Sequence, residues 1–223
     1  MRLTDPAHPL CQQRSQLLRD VPDWRASAGR PLAVSALESR LAAVVGRVGS
    51  EARPVTLRRA TPADAAAVGH IHVESWKVAY RGVMPDDVIA RTDLAYRTQF
   101  WAERIADREW PVFLIEEDGQ RVAFCQMVSS RDPDDDATRV GHITSIHVLP
   151  QLRGRGHGRM LMDHVLNEFR RRGFAEVTLW VLEENRNARA FYEKYGFEPD
   201  GGTRRDPRTD VSEVRYRIRL NRG

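Results

Sequence analysis

The sequence predicts an α/β (α+β) domain: a central mixed, mostly antiparallel sheet of about six to seven strands, flanked by helices. Three observations carry this. Two β-patterned runs, "PVFLIEE" and "RVAFCQMVSS", flank Asp118 and Gly119, a hairpin signal. One β-α-β crossover follows, from "GHITSIHVLP" through a long helical pattern to "AEVTLWVL". A last helix, "NARAFYEKYGF", and a last strand, "VSEVRYRIRL", close the chain. A hairpin ahead of a single parallel crossover argues for a mixed sheet and against a doubly wound parallel one.

The elements follow in order. "PVTLRRA" alternates as a strand. Thr61 caps the next helix, with Pro62 at its first position and Asp64 in its first turn. That helix carries Ala67, Val68, Ile71, Val73 and Trp76 and ends near Gly82. "PDDVIARTDLAYRTQFWAERIAD" reads as one or two short helices, and "RDPDDDATR" as a polar loop. The crossover helix runs to about Arg172, where Gly173 stops it.

Residues 1–52 differ in kind. They hold Pro6, Pro9, Pro22 and Pro31 and no clear strand. Within them "SALESRLAAVVGRV" reads as a helix, with Ser35 and Glu38 at capping-box spacing. We expect a partly helical or flexible N-terminal extension over 1–52 and one domain over 53–223.

Composition narrows the function classes. The chain has 223 residues, 41% of them hydrophobic, enough for a globular core. No apolar run approaches the ~18 residues of a membrane helix, so no membrane role is expected. The start lacks the apolar segment of a secretory signal, and Asp5, Asp20 and Asp23 interrupt any transit-peptide pattern. A cytoplasmic location is expected. The two cysteines, Cys11 and Cys125, are far apart, which argues against a disulfide framework or a zinc site. His147 and His157 have no partner at ligand spacing, so no metal is expected. Net charge is +4, with 35 basic against 31 acidic residues, too even for a nucleic-acid footprint. The arginine-for-lysine bias reads as the base composition of a GC-rich bacterium.

The most informative stretch is "HITSIHVLPQLRGRGHGR", from His142 to Arg159. Gly154, Gly156 and Gly158 alternate with Arg155 and His157 at the entrance of a helix. Glycines let the backbone approach a ligand without Cβ clashes. The first helical turn has unsatisfied N–H groups and the positive end of the dipole. Arg153, Arg155 and Arg159 add charge, so a diphosphate is the natural guest. The spacing is not the G-x-G-x-x-G of a dinucleotide fold, although Glu183 and Glu184 could mimic its acidic ribose ligand. A Walker loop needs Gly-Lys-Ser/Thr, which the chain lacks.

"VLPQLRGRGHGRMLMDHVL" resembles the acetyl-CoA loop of the GNAT superfamily of N-acetyltransferases, whose signature is Arg/Gln-x-x-Gly-x-Gly/Ala; Arg153, Gly156 and Gly158 fit it. "NRNARAFYEKYGF" resembles the family's second signature, with Asn185, Ala188, Phe191, Tyr192, Gly196 and Phe197 in place. "TLRRATPADAAAVGHIHVESWKVAYRGVMPDD" resembles the first strand and helices of many bacterial members. The resemblance covers about 54–220 and not 1–52.

The resemblance implies a GNAT fold with one acetyl-CoA-binding β-α-β crossover. It also implies direct transfer from acetyl-CoA to an amine of a small molecule or peptide. Family strands at this position are bulged, and their backbone holds the pantetheine arm; here that is Ile146, His147 and Val148, with the Val148 N–H as oxyanion donor. Residues 153–159 would hold the pyrophosphate, and Asn185 would contact the arm where two strands part. Tyr192 would be the general acid toward sulfur. An alkylammonium has a pKa around 10, so a base is needed. Many members place a glutamate where this chain has His142, and a histidine can serve near neutral pH. The later-strand glutamate of some peptide acetyltransferases aligns with Trp180, leaving Glu74, Glu183 and a water on Ser145 as further candidates. Trp76, Tyr80 and Arg81 would line the acceptor, Arg81 favouring a carboxylate-bearing one. The acidic run Asp132, Asp134, Asp135 and Asp136 could attract a cationic amine or be a solvated loop. Family members are often homodimers. The rival readings are a non-catalytic acyl-CoA-binding module, a protein- or ribosome-associated binder using the basic arm, and a dinucleotide enzyme.

Overall fold

The computed structural model describes residues 54–83, 89, 93–206 and 210–221. The expected extension over 1–52, with its helix, lies outside the described residues, as does most of 84–92, where a further short helix is expected.

The chain forms β1 (Val55–Arg59), a 3-10 turn (Pro62–Asp64), α1 (Ala65–Ala79), α2 (Leu94–Ala106), β2 (Val112–Glu117) and β3 (Gln120–Ser129). There follow β4 (Val140–Val148), a 3-10 turn (Pro150–Leu152), α3 (His157–Arg171), β5 (Glu176–Leu182), α4 (Arg186–Glu193), β6 (Glu198–Arg205) and β7 (Ser212–Arg219). The seven strands form one sheet in the order β1-β2-β3-β4-β5-β7-β6. Only β4 and β5 pair in parallel. This is the mixed, mostly antiparallel sheet expected from the hairpin and the single crossover.

Alternation along the strands sorts the core into two layers. Phe113, Ile115, Ala123 and Cys125 face α3, meeting Leu161, Val165 and Phe169. Leu114 and Phe124 face the other way, toward Val68 and Ile71 of α1 and Trp101 and Ile105 of α2. Both faces of β2 and β3 are therefore covered, which is why their sequences read as continuous apolar runs.

The local signals behave as expected. Thr61 and Asp64 form a reciprocal capping box. Asp118 and Gly119 both take positive φ, the geometry of a tight two-residue hairpin. After α3, Phe174 N–H returns to Phe169 O at 3.1 Å and Gly173 N–H to Arg170 O at 3.0 Å, which closes the helix. Two features are absent from the sequence reading. Asp64 is 1% exposed and gathers Arg58 (2.8 Å) and Arg121 (3.0 Å), tying β1 and β3 to the start of α1. The Arg58 guanidinium holds its carboxyl well below the usual carboxylate range. The other feature is β6, an exposed edge strand with Pro199, Gly201 and Gly202, whose register against β7 shifts between Pro199 and Thr203.

Candidate active site

The site begins with a defect in β4. Gln126 of β3 pairs with Ser145, but Met127 pairs with Ile143, so Thr144 is an extra residue on β4. This β-bulge bends β4 away from its neighbour. Parallel pairing with β5 stops at Ile143 and Leu179, although both strands continue. A gap opens between the last residues of β4 and those of β5. Leu149 N–H donates to Val122 O at 2.9 Å. Hydrogen-bonding residues alternate along an antiparallel ladder. His147 therefore turns its backbone toward β3, while Ile146 and Val148 turn theirs into the gap.

One face of the gap carries the glycine loop. Gly156 is the N-cap of α3 with φ 92°, and Gly154 has φ 81°. A Cβ at either would meet no atom within 4 Å, so these glycines serve a left-handed backbone beside open space rather than a tight fit. The first intrahelical bond of α3 runs from Met160 N–H to Gly156 O at 2.9 Å. The N–H groups of His157, Gly158 and Arg159 precede it and face outward as an anion cradle. Arg153, Arg155 and Arg159 are exposed around it. His157 is 4% exposed, and its Nδ1 has no hydrogen-bond partner among the described residues. Its Nε2 stands 3.6 Å from Glu117. A Cβ on Gly158 would lie 3.6 Å from Phe191 of α4 and 3.7 Å from Val148 of β4. The helix entrance, α4 and the parted end of β4 thus meet at one place. The open cradle, the orphaned imidazole nitrogen and the gap fit a long ligand with a diphosphate.

α4 supplies the remaining groups on this face. Asn185 caps it, its side chain accepting from Ala188 N–H at 3.1 Å. Ala188 and Phe191 pack against the core beside Ile146 and Val148. Tyr192 is buried, and burial pushes its hydroxyl above the ordinary tyrosine range. The hydroxyl also feels the thiol of Cys125, the ladder partner of Ile146.

The opposite face carries a pocket of about 430 Å³ between α2 and β3–β5. Its floor is Gln126, His142, Thr144 and Trp180. Thr144 Oγ1 donates to Gln126 Oε1 at 3.0 Å, so the bulge residue is tied by its side chain to the β3 residue that pairs with its neighbour Ser145. His142 Nδ1 is 2.9 Å from Thr178 Oγ1. When the Thr178 hydroxyl hydrogen goes to Gly141 O (3.4 Å), Nδ1 is the donor and Nε2 keeps its lone pair. Burial lowers the His142 pKa from 6.5 to about 4. The half-buried side chain of His147 stacks on His72 at 4.8 Å, and desolvation lowers its pKa to about 4.

Trp76, Tyr80 and Arg81 do not line this pocket. Trp76 and Tyr80 stack at 4.1 Å and pack against Leu182 at the end of β5; Arg81 is exposed. Leu182 shares a face of β5 with Trp180, roughly 7 Å farther along. The Trp76–Tyr80 wall and the pocket therefore lie on the same side of the parting strands. The acidic loop is neither free nor merely solvated. Arg215 holds Asp134 (2.5 Å), Asp200 (2.7 Å) and Asp132 (3.4 Å). Arg217 holds Asp135 (2.6 Å), Asp200 and Glu176 (both 2.9 Å). Gln126, Thr144 and Thr178 were not legible as site residues, because only the bulge and the parallel pairing bring them together. In the sequence Trp180 stands out only as the position where some peptide acetyltransferases carry a glutamate.

Residues 68–197 match the acetyltransferase (GNAT) family. The mycothiol acetyltransferase of Beutenbergia cavernae is 39% identical over 88 residues, which are 40% of this chain and 28% of that protein. This chain thus spans under a third of that relative's length. YhfO of Bacillus subtilis, an uncharacterized N-acetyltransferase, is 27% identical over 111 residues, 50% of this chain and 74% of its own. Among solved structures, the PaiA N-acetyltransferase of Thermoplasma acidophilum, in complex with coenzyme A, aligns with a TM-score of 0.61 at 16% identity, covering 74% of this chain and 99% of its own. The match runs from α1 through the bulged strand and glycine loop to the end of α4, and by it the chain belongs to the acetyltransferase (GNAT) family.

Proposed function

We propose that this chain is an acetyl-CoA-dependent N-acetyltransferase acting directly on a primary amine, with a small molecule or a peptide end as acceptor. The observation that carries the reading is the bulged β4 parted from β5, with a glycine–arginine helix entrance on one side and a pocket on the other. Donor and acceptor would approach from opposite faces and meet in the gap.

Acetyl-CoA supplies the activated acetyl thioester. Residues 153–159 would hold its diphosphate, and the backbone of 146–148 its pantetheine arm. The N–H of Val148, with that of Ile146 on the same side, would donate to the carbonyl oxygen as charge builds there. Such donors act strongly because they are fixed beforehand. Tyr192, kept protonated by burial, would donate a hydrogen bond to the departing sulfur. His142, neutral at physiological pH, offers a lone pair at Nε2. Its low proton affinity makes it a relay to water in the pocket rather than the final proton acceptor.

The test is a thermal-unfolding titration with acetyl-CoA, coenzyme A and NAD, followed by thiol release with an amine panel. A ligand at ~100 times its dissociation constant adds roughly 2.7 kcal/mol. Stabilisation by both CoA species and not by NAD is expected, with turnover that falls in Tyr192→Phe while CoA binding persists. No response to CoA would sink the reading. A second reading, a non-catalytic acyl-CoA-binding module, is favoured by the depressed pKa of His142. It predicts CoA stabilisation without thiol release for any amine.

A further inference from the structure

Three arginines line the acceptor-side pocket, and they are not alike. Arg204 pairs with Glu213 at 2.7 Å and lies over the Trp180 ring at 4.2 Å. Arg104 and Arg131 have no carboxylate within ion-pair distance among the described residues. Arg104 reaches the pocket from α2 with its guanidinium 3.6 Å over the Phe100 ring. Arg131 follows β3 and is exposed. Burial lowers the Arg104 pKa; the nearby charge of Glu103 opposes this and that of Arg131 adds to it.

The pocket's acids show the opposite pattern. Asp132 accepts from Trp180 Nε1 at 3.1 Å and faces Arg215. Asp107 accepts the backbone N–H groups of Glu109 (2.8 Å) and Trp110 (3.3 Å). Glu103 accepts from Gln99 Nε2 at 3.0 Å. Each of these three carboxylates has a donor, while the two guanidiniums share one cavity with no hydrogen-bond acceptor among the described residues. Like charges held together in a partly dry site are unfavourable until an anion joins them. A guanidinium fork matches an oxyacid in two parallel hydrogen bonds.

We propose that Arg104 and Arg131 form an anion subsite that takes the carboxylate or phosphate of the amine acceptor. The inference rests on the acetyltransferase reading of the same pocket. The anion would lie on the α2 side, and the amine would reach toward Thr144 and His142, where β4 bends. Trp110 and Trp180 would flank the carbon skeleton between them. About 430 Å³ suits a small molecule. The same two charges would repel a polyamine that carries no anion.

The test uses the full chain with saturating acetyl-CoA and matched acceptors. Amino acids are compared with their carboxamides, and aminoethyl phosphate with aminoethanol, by thiol release. We expect the anionic member of a pair to be preferred by about tenfold or more in kcat/KM, equivalent to about 1.4 kcal/mol. A larger preference in the phosphate pair assigns the anion as phosphate, and a larger one in the acid pairs assigns it as carboxylate. Arg131→Gln, at an exposed position, should bring the ratio toward one through KM. Arg104→Lys, which keeps the charge and loses the fork, should lower it partway. Equal rates within pairs, an unchanged ratio in Arg131→Gln, or no turnover of any anionic amine while coenzyme A still stabilises the protein would each overturn the inference and leave the acetyltransferase reading standing. Failure of coenzyme A to stabilise would remove both.

Discussion

His142 and His147 lie on the same strand, and burial lowers both from 6.5 to about 4. Between those values an unfolded chain binds a proton at each position that the folded chain refuses. Stability therefore falls as pH drops from about 6.5 to 4, and these two groups add nothing further below 4. The carboxylates held low in the fold, Asp134 by Arg215 and Asp64 by Arg58, begin to add to the fall only as pH approaches 4, where the unfolded chain takes up their protons, so the upper part of the window reports the histidines. His147 is the cleaner probe, because its ring packs between His72 (4.8 Å) and Phe124 (5.2 Å), where another aromatic ring can sit. In His147→Phe the fall in melting temperature from pH 6.5 to 4 should be shallower than in the parent. An identical slope would show that His147 does not titrate on unfolding in this range. The position of His142 was legible in the sequence, but its chemistry was not. Thr178, which lies 2.9 Å from its Nδ1, and Trp180 beside it in the pocket come from a strand more than thirty positions away.

At the scale of elements, α3 shows what the sequence can specify. Its apolar positions fall on one face, Gly173 stops it, and the glycines before it mark a left-handed entrance. The contrast within that entrance is testable. Gly156 has φ 92°, so Gly156→Ala should cost about 1–2 kcal/mol from backbone strain and weaken coenzyme A binding. At Gly158 a Cβ would meet Phe191 at 3.6 Å, an ordinary contact, so Gly158→Ala should leave the melting temperature nearly unchanged. Equal destabilisation by the two would mean that the conformation of Gly156 is not what the loop requires. The bulge at Thr144 is the opposite case. In "HITSIHV" the alternation breaks at one point, with Thr144 and Ser145 consecutive between Ile143 and Ile146, and no glycine or proline marks the extra residue. Which residue is extra shows only in the pairing with β3. β6 escaped for another reason: a strand that buries almost nothing needs no apolar pattern, and its Pro199 and glycines read as loop. Gly141 is a further silent feature, since a Cβ there would come within 2.3 Å of the Phe169 ring, a packing constraint that no local pattern reveals.

For the whole molecule, the arrangement explains why chemistry can be concentrated in one stretch of chain. The cradle, the gap, the buried hydroxyl and the pocket all come from elements between α1 and β7. The sheet sets the glycine–arginine cradle and the pocket on opposite faces, at the place where the β4–β5 pairing ends. Ion pairs from Arg215 and Arg217 fasten the loop after β3 to β7 and Asp200, so one pocket wall is held from the far side of β5. The groups named in the cradle, the gap and the pocket all lie after residue 53, where the expected boundary falls just before β1. Deletion of 1–52 should therefore leave the stabilisation by coenzyme A, and the acid-to-amide preference of the acceptor pocket, within about twofold of the full chain, a difference of under about half a kcal/mol. The comparison is made by thermal unfolding with coenzyme A and by kcat/KM on the matched acceptor pairs. If stabilisation survives and the preference disappears, the N-terminal segment contributes to acceptor recognition, and the acceptor site is larger than the pocket over β3–β5. If both disappear, the domain does not begin near residue 53, and the segment is part of what holds β1 in the sheet.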